Sequence, residues 1–351
     1  MKRFLCFCMA VLLLLPLVPG AAALDITAPE PDGSAASRMP SRNTSFGDGV
    51  KQILGDLLPI LQPDFYQALR LCGMLIAVAL TVCLCRILSG KKLWAASLAG
   101  ILGISALLLG SSRSCIRLGA ETVAELSDYG KLLLPVMTAA LSAQGGITSA
   151  GMLCAGTAAF DAALTALIKK LMLPSIYLFL TLSAVSAATE DSLLKRCKVL
   201  WKSAVSWILK TLLTCFTAYM GITGAVSGTA DKTAVKAAKT AISTAVPVVG
   251  SILSDASEAV LVSAALVKNA AGVYGIWAIL AIFLEPFFRI GIQYLLLKLT
   301  AAVCGVFGAE PICEYIDDFS AAMGLLLGMI GSVCLILLIS CICFLKGVGG
   351  S

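Results

Sequence analysis

Charged and amide side chains lie within otherwise apolar sequence in residues 245–289, which read AVPVVGSILSDASEAVLVSAALVKNAAGVYGIWAILAIFLEPFFR. A charged side chain flanked by hydrocarbon-like sequence is costly to place in a membrane unless it faces a partner or a water-filled cavity. Asp161 lies in an earlier apolar run and meets the same condition. We therefore interpret seven residues as candidates for pore lining or subunit contact: Asp161, Asp255, Glu258, Lys268, Asn269, Glu285 and Arg289.

Glu285 and Arg289 have the spacing at which two side chains on one helix can form an ion pair. Pro286 lies between them and restricts the backbone at that point. Two interpretations follow from the residues alone. The pair is either a local structural contact or part of a pore or substrate path.

The residue types exclude most catalytic chemistry. The chain has no histidine, which removes the commonest general base and the commonest metal ligand. Its 14 cysteines lie mostly within apolar runs, where they act as small hydrophobes. No phosphate-binding loop of the type G-x-x-x-x-G-K-[ST] occurs. We predict no catalytic residue, no cofactor and no metal site, and an intramembrane enzyme is the least favoured class.

Composition predicts an all-α polytopic membrane protein. Apolar residues make up 59% of the chain and charged residues 13%, whereas a soluble domain has about a quarter charged. The net charge is +6, but Lys and Arg are scattered at the ends of apolar runs instead of being clustered on one face. We therefore predict membrane lipid, and not nucleic acid, as the surroundings of the chain.

The first 67 residues predict two segments that precede the membrane domain. Lys2 and Arg3 precede a short apolar run that ends in Gly-Ala-Ala-Ala at residues 20–23. This pattern is typical of a secretory signal peptide over residues 1–23, with an uncleaved anchor as the alternative. Residues 24–67 are rich in Pro, Ser, Asp and Gly and predict an extracytoplasmic polar lead.

Residues 68–346 form the predicted polytopic membrane domain, followed by a tail over residues 347–351. The first two crossings are expected over residues 68–88 and 93–112. The loop between them is basic, which places it in the cytoplasm under the positive-inside rule: Arg86, Lys91 and Lys92. Residues 111–131 carry charges at helical spacing and predict an amphipathic interfacial segment.

Later loops are assigned by the same rule. Residues 190–202 contain four basic residues and are expected in the cytoplasm, whereas the acidic residues 309–320 are expected outside. Residues 319–345 carry no charge, and Lys346 is expected to end this last crossing on the cytoplasmic side.

Two apolar segments have lengths and interruptions that predict broken or re-entrant structure. Residues 132–168 are too long for one crossing of about 20 residues and contain two adjacent glycines. Residues 245–267 are the second such segment, followed by a short apolar run at 270–284 and a crossing at 290–309. The total is about seven transmembrane helices plus two broken segments. The candidate hinges are Pro135, Gly145, Gly146, Pro174, Pro247 and Pro286.

The prolines also indicate an internal repeat. The spacing of Pro135 and Pro174 equals that of Pro247 and Pro286, so one shift superimposes both pairs. The repeated units cover about residues 93–190 and 203–308. Duplicated halves with interrupted segments at matching places are typical of transport folds.

The order of parts resembles the stage III sporulation protein AE family of endospore-forming bacteria. The resemblance is carried by the signal peptide, the polar lead, the short basic loop, the apolar segment interrupted by two glycines and the sequence AVPVVGSILSDASEAVLVSAALVKNAAGVYG. It implies a membrane subunit of the complex that links mother cell and forespore, in the mother-cell membrane facing the forespore. The implied partners are the other stage III A proteins and, through them, the forespore protein Q.

Two classes of function remain open at this point. One is a non-enzymatic subunit of a channel or secretion-like apparatus needed for endospore development. The other is an autonomous secondary transporter or permease with a polar site at the midplane.

Overall fold

The chain forms a bundle of long α-helices. The computed structural model describes residues 29–31, 33–40, 46–89, 94–143, 147–189, 192–245, 250–308 and 310–346. Within these ranges the longest stretch whose side chains are not described is residues 224–271. A 3₁₀ helix, Gly33–Arg38, precedes seven α-helices in these ranges: α1 Phe46–Ser89, α2 Trp94–Ala143, α3 Ile147–Leu167, α4 Leu173–Thr189, α5 Ser192–Ala245, α6 Gly250–Val306 and α7 Glu310–Lys346. No strand occurs in the described ranges. The predicted all-α class is confirmed.

Six stretches of the described residues are long and apolar enough to cross a membrane. One of them, Ile147–Thr189, contains α3, a π-helix at Ile168–Met172 and α4 as one continuous span. The polytopic prediction is confirmed, and the observed number of spans is close to the predicted seven. The signal peptide and the tail at residues 347–351 lie outside the described residues and stay predictions.

Helix α7 lies at the centre of the bundle. It packs against α2, α3, α4, α5 and α6, and 78% of its most apolar window is buried. A helix without charge over residues 319–345 can be covered by neighbours on all sides. Helix α6 is the next most enclosed, because α1, α2 and α7 pack around it.

Contacts at both ends of α7 fix the direction of its neighbours. Ser105 Oγ lies 2.7 Å from Tyr315 Oη near the start of α2 and α7, and Gly130 lies against Leu337 near their ends. These two helices are therefore parallel. Helix α6 is antiparallel to them, since Gly272 lies against Leu345 near the end of α7 whereas Lys298, later in α6, pairs with Asp317 near the start of α7.

The two ends of the bundle differ in charge. We call the end where α7 begins the acidic end, after Glu310, Glu314, Asp317 and Asp318. Helices α1 and α4 both run towards this end, so Ser89 and Thr189 lie there. We call the opposite end the lead end, because Tyr129 Oη donates a hydrogen bond there to Pro29 O at 3.3 Å.

This arrangement makes the predicted sides of three segments incompatible. Residues 190–202 were expected in the cytoplasm and residues 309–320 outside, yet Lys195 pairs with Glu314 at 2.5 Å, so both segments lie at the acidic end. Lys346 was expected on the same side as residues 190–202, yet α7 runs from the acidic end to the lead end. The physical reason is that acidic and basic residues neutralise one another at one end of the bundle, so the charge of a single segment does not mark its side.

Helix continuity corrects two further predictions. The predicted second crossing, the amphipathic segment 111–131 and the start of the segment 132–168 form one helix, α2. The runs 270–284 and 290–309 were expected to be separate, but α6 continues through both and through Pro286. Proline is tolerated inside membrane helices when neighbouring helices, side chains or local adjustments satisfy the freed carbonyl.

The repeat stays a prediction. Each predicted unit contains a long helix, a short connection and a second long helical stretch. Pro135 lies inside α2, and Pro247, which the repeat matches to it, lies outside the described residues.

Close packing of α3 on α5 depends on a glycine. A Cβ on Gly156 would collide with the ring of Tyr219, whose hydroxyl is held by a 3.0 Å hydrogen bond to Met152 O. Small residues at such crossings let membrane helices approach closely. Gly151 is on the same helix and has no atom within 4 Å of the same position.

We expect Gly156→Ala and Gly151→Ala to change thermal stability in opposite directions. Overpacking against the ring should cost about 1–3 kcal/mol at Gly156, whereas alanine at the open site should stabilise the helix by about 0.5–1 kcal/mol. Unfolding temperatures in detergent measure both. Equal stabilisation by the two variants would contradict the packing described here.

Candidate functional site

A buried ion pair joins the polar lead to the middle of α6. The guanidinium of Arg38, at the end of the 3₁₀ helix, pairs with Glu285 Oε2. Its Nη1 also donates to Ala281 O at 3.5 Å. The side chains of Arg38 and Glu285 are 7% and 15% exposed. The lead is therefore part of the bundle, and it covers α6 at this level.

The pair continues into a chain of four alternating charges. Arg289 Nη2 lies 3.1 Å from Glu285 Oε1, as predicted from their spacing, and Arg289 Nε lies 3.0 Å from Asp64 Oδ2 of α1. Two cations and two anions give no net charge. We call Arg38, Glu285, Arg289 and Asp64 the lead network.

The lead network is suited to holding helices in place. Each of its charges has an opposite charge within contact distance, so the desolvation cost of burial is offset pairwise. If one of these side chains were removed, the opposite charge that it neutralises would stay buried with less compensation. The network thus ties three separate segments, the 3₁₀ helix, α1 and α6, into one arrangement.

We expect Arg38→Ala to destabilise the bundle by less than the about 3–5 kcal/mol typical of an uncompensated buried charge, because Glu285 loses its closest cation but keeps Arg289 at 3.1 Å. Glu285→Ala introduced together with Arg38→Ala should cost less than the sum of the single changes, as coupling requires. Thermal unfolding of the three variants gives the coupling energy. Lys51→Ala is the matched control, since its pair with Asp48 is exposed and 3.9 Å long; additive effects of Arg38→Ala and Glu285→Ala would exclude the coupling.

A second polar network lies at the acidic end. The side chain of Lys198 is only 5% exposed and lies 2.5 Å from Asp318 Oδ2 and 3.3 Å from Glu314 Oε1. Ser183 Oγ also donates to Asp318, and Lys195 pairs with Glu314. The network ties α4 and α5 to the first turns of α7. A nearby pair, Lys298 with Asp317, adds α6.

Cysteines placed at Lys195 and Glu314 in a Cys-less chain should be joined by a short bismaleimide cross-linker, because the side chains that they replace are in contact at their tips. A Lys195→Cys, Lys346→Cys chain is the control, since these positions lie at opposite ends of the bundle. Mobility on non-reducing gels measures the product. If Lys195→Cys cross-linked to Lys346→Cys and not to Glu314→Cys, the topology expected from the sequence would be correct and the packing described here would be wrong.

Asp161 is buried and does not line an open surface. It is 4% exposed and lies on the face of α3 that also carries Thr157. Its Oδ2 accepts a 2.6 Å hydrogen bond from Ser127 Oγ of α2. Thr157 Oγ1 lies 2.6 Å from Ser340 Oγ of α7. Small polar groups therefore connect α3 to α2 and α7 in the buried interior.

The outer face of α2 carries a row of charges, which we call the α2 stripe: Arg113, Arg117, Glu121, Glu125, Asp128 and Lys131. Successive members are three or four residues apart and so lie on one side of the helix. Arg117 Nε pairs with Glu121 Oε1 at 2.8 Å, with side chains 80% and 58% exposed. Asp128 and Lys131 pair at 2.7 Å and are both 69% exposed. The stripe stands out from the bundle.

The structure tests only part of the predicted set. Glu285 and Arg289 are brought together, and Asp161 lies apart from them on α3. Helix α6 also contains Asp255, Glu258, Lys268 and Asn269, whose side chains lie outside the described residues, as do Gly145, Gly146 and Pro247. Pro135 and Pro286 lie inside α2 and α6, and Pro174 is the second residue of α4.

The sequence reasoning missed Arg38 and Asp64 in the lead network and every member of the network at the acidic end: Ser183, Lys195, Lys198, Glu314 and Asp318. Arg38 and Asp64 were placed in the polar lead, and Lys198 and Asp318 in loops on opposite sides. A usable signal exists only for the charged residues at the acidic end, since basic and acidic segments that flank apolar runs can neutralise one another. Nothing in the sequence indicates that Arg38 pairs at a separation of 247 residues.

The described residues offer no donor set for a metal. They contain no group of three or more Asp, Glu, Cys or His side chains close enough to hold an ion. The carboxylates of both networks are instead matched with Lys or Arg. The arrangement can hold helices together and can neutralise charge.

Comparison with known proteins decides the family. The family model for stage III sporulation protein AE matches residues 41–347. The chain belongs to the stage III sporulation protein AE family. The match covers α1 to α7, so both networks and the α2 stripe lie within it, apart from Arg38 in the lead.

One curated relative of this AE-family chain is stage III sporulation protein AE of Bacillus subtilis (strain 168), which is 25% identical over 217 residues. The aligned part is 62% of this chain and 54% of the relative, so the chain spans about half the length of that protein. No solved structure matches. A role in sporulation follows from family membership.

Proposed function

We propose that this chain is a non-enzymatic integral membrane subunit of the channel or secretion-like complex between mother cell and forespore. Family membership and six membrane-grade helices support this function. The observation that carries it is the α2 stripe. The stripe lies level with the uncharged part of α7, because Gly119 lies against Leu326 and Gly130 against Leu337. Charges that point away from the bundle at that level call for a neighbour that the single chain does not supply.

The length of the α2 stripe matches the depth of a membrane. From Arg113 to Lys131 it extends about 27 Å at ~1.5 Å per residue, and the hydrocarbon core is ~30 Å thick. Each charge facing lipid at the centre would cost about 2.5–3.5 kcal/mol on insertion scales. The pairs of Arg117 with Glu121 and of Asp128 with Lys131 reduce this cost but leave four well-exposed charged groups.

Water or a partner subunit therefore faces the α2 stripe in the membrane. The outer faces of α4 and α5 differ from it, because they expose large apolar side chains such as Leu178 at 69% and Trp207 at 67%. A bundle with one polar side and one apolar side is suited to form part of the wall of a channel. Lipid contacts the apolar side, and the polar side faces the interior of an assembly.

The partners proposed for this assembly are the other stage III A proteins and, through them, the forespore protein Q. The proposed location is the mother-cell membrane that faces the forespore. In that orientation the acidic end, with its basic loops, lies in the cytoplasm of the mother cell. The lead end then projects towards the space between the two membranes, where α5 and α6 extend beyond the described contacts with α7.

Cysteine accessibility tests the role of the α2 stripe. In a Cys-less chain expressed in sporulating cells, cysteines at Arg117 and Glu121 should react with a charged, membrane-impermeant maleimide. The control is Leu178→Cys on the apolar side, which should stay unreactive because it faces lipid. The number of labelled chains is read by gel shift.

Two further outcomes are informative in that experiment. Labelling that occurs only after the other stage III A proteins are removed would place a subunit contact, and not water, on the stripe. Normal spore formation after replacement of Arg117 and Glu121 by leucine, at normal membrane abundance, would exclude the stripe from any essential role.

An autonomous secondary transporter is the second candidate. The buried Asp161 and the lead network favour it, since polar groups inside a membrane bundle are typical of midplane substrate sites. The two functions separate on purification. A transporter moves a solute in liposomes alone, whereas a channel subunit copurifies with its partners and is inactive without them.

A further inference from the structure

Asp161 differs from every other carboxylate described inside the bundle. Glu285, Asp64, Glu314 and Asp318 each have a cation within contact distance. Asp161 has no ion pair among the described residues. Its Oδ2 accepts one hydrogen bond from Ser127, and its Oδ1 has no hydrogen-bond partner there.

The surroundings of Asp161 are largely uncharged. Helix α7 brings Ser340 to this face of α3, and α5 brings Phe216 and Tyr219, whose rings lie against Phe160. The charged groups that act on Asp161 are Asp128 and Lys131 of α2 and Lys169 of the π-helix. Asp128 and Lys131 are exposed and paired with each other, and Lys169 is also exposed.

An ionised carboxylate in this position would be poorly compensated. One hydroxyl donor satisfies one of its two oxygens, and the desolvation cost of a buried charge is several kcal/mol unless a partner offsets it. The neutral acid avoids this cost, because a protonated carboxyl carries no net charge. Geometry alone thus distinguishes Asp161 from the four paired carboxylates.

We propose that Asp161 is a proton-binding site, held as the neutral acid between α2 and α3. Loss of the proton creates a buried charge that the single hydrogen bond from Ser127 does not compensate, so deprotonation is coupled to entry of water or a cation between α2 and α3. The ligand of this site is a proton and not a metal cation. The proposal is independent of whether the chain acts as a channel subunit or a transporter.

Dicyclohexylcarbodiimide, an apolar carbodiimide that reacts with neutral carboxylic acids, tests this site. The acid proton moves to a carbodiimide nitrogen and the carboxyl oxygen bonds to the central carbon, giving an O-acylisourea. This product rearranges to a stable N-acylurea on the same residue. The reaction is an addition with no leaving group and no co-reactant, so the peptide gains the mass of one carbodiimide.

We expect the full chain in detergent, treated at pH 6, to carry this modification on the peptide that contains Asp161. Peptide mass spectrometry measures the yield. The yield should fall at least severalfold at pH 9, where deprotonation removes the reactive acid. Asp128, which is exposed and paired, is the internal control and should stay unmodified in the same digest.

Variants and salt separate the proton site from the alternatives. Asp161→Asn should abolish the modification, and Ser127→Ala should retain or raise it, because the donor that stabilises the ionised form is gone. Sodium chloride should not protect the residue. Protection by sodium would overturn the proposal in favour of a cation site. Absence of modification at pH 6 in the wild-type chain would overturn it without reliance on any variant.

Discussion

The ion pair between Arg38 and Glu285 determines how the polar lead and the membrane bundle fit together. It connects a short 3₁₀ helix to the middle of α6. Arg289 pairs with both Glu285 and Asp64, and so links the same site to α1. Buried ion pairs are often no more stabilising than apolar side chains of the same volume. Their effect is specific placement, because each alternative position of the lead would leave Glu285 or Arg38 buried without a partner.

Pairing of buried charges also fixes the packing at the acidic end, where it positions the start of α7. Lys198 lies between Glu314 and Asp318, so the first turns of α7 are fixed to α5 by charge. The remainder of α7 is apolar and packs by shape alone. Two charge networks at different levels therefore set the register of α1, α5, α6 and α7, and apolar packing fills the space between them.

Sequence reasoning was sufficient for properties that depend on local pattern. Apolar runs predicted the membrane helices, and the spacing of Glu285 and Arg289 predicted their contact. It was insufficient where the outcome depends on neighbours. Pro286 was predicted to be a hinge between two separate apolar runs, but α6 continues through it. Glu314 and Asp318 were expected outside because the rule that assigns sides uses charge in sequence and cannot see that Lys195 and Lys198 neutralise them.

Helix α2 combines the two environments that the candidate functions require. Ser127 is buried and bonded to Asp161, whereas the next residue, Asp128, is exposed and paired with Lys131. One helix thus separates a buried interior from a charged outer surface. If solute passes along the α2 stripe, it does not meet Asp161 unless α2 and α3 separate. A conduit outside the bundle and a protonatable group inside it are therefore compatible, and the seam between α2 and α3 is the place where one could influence the other.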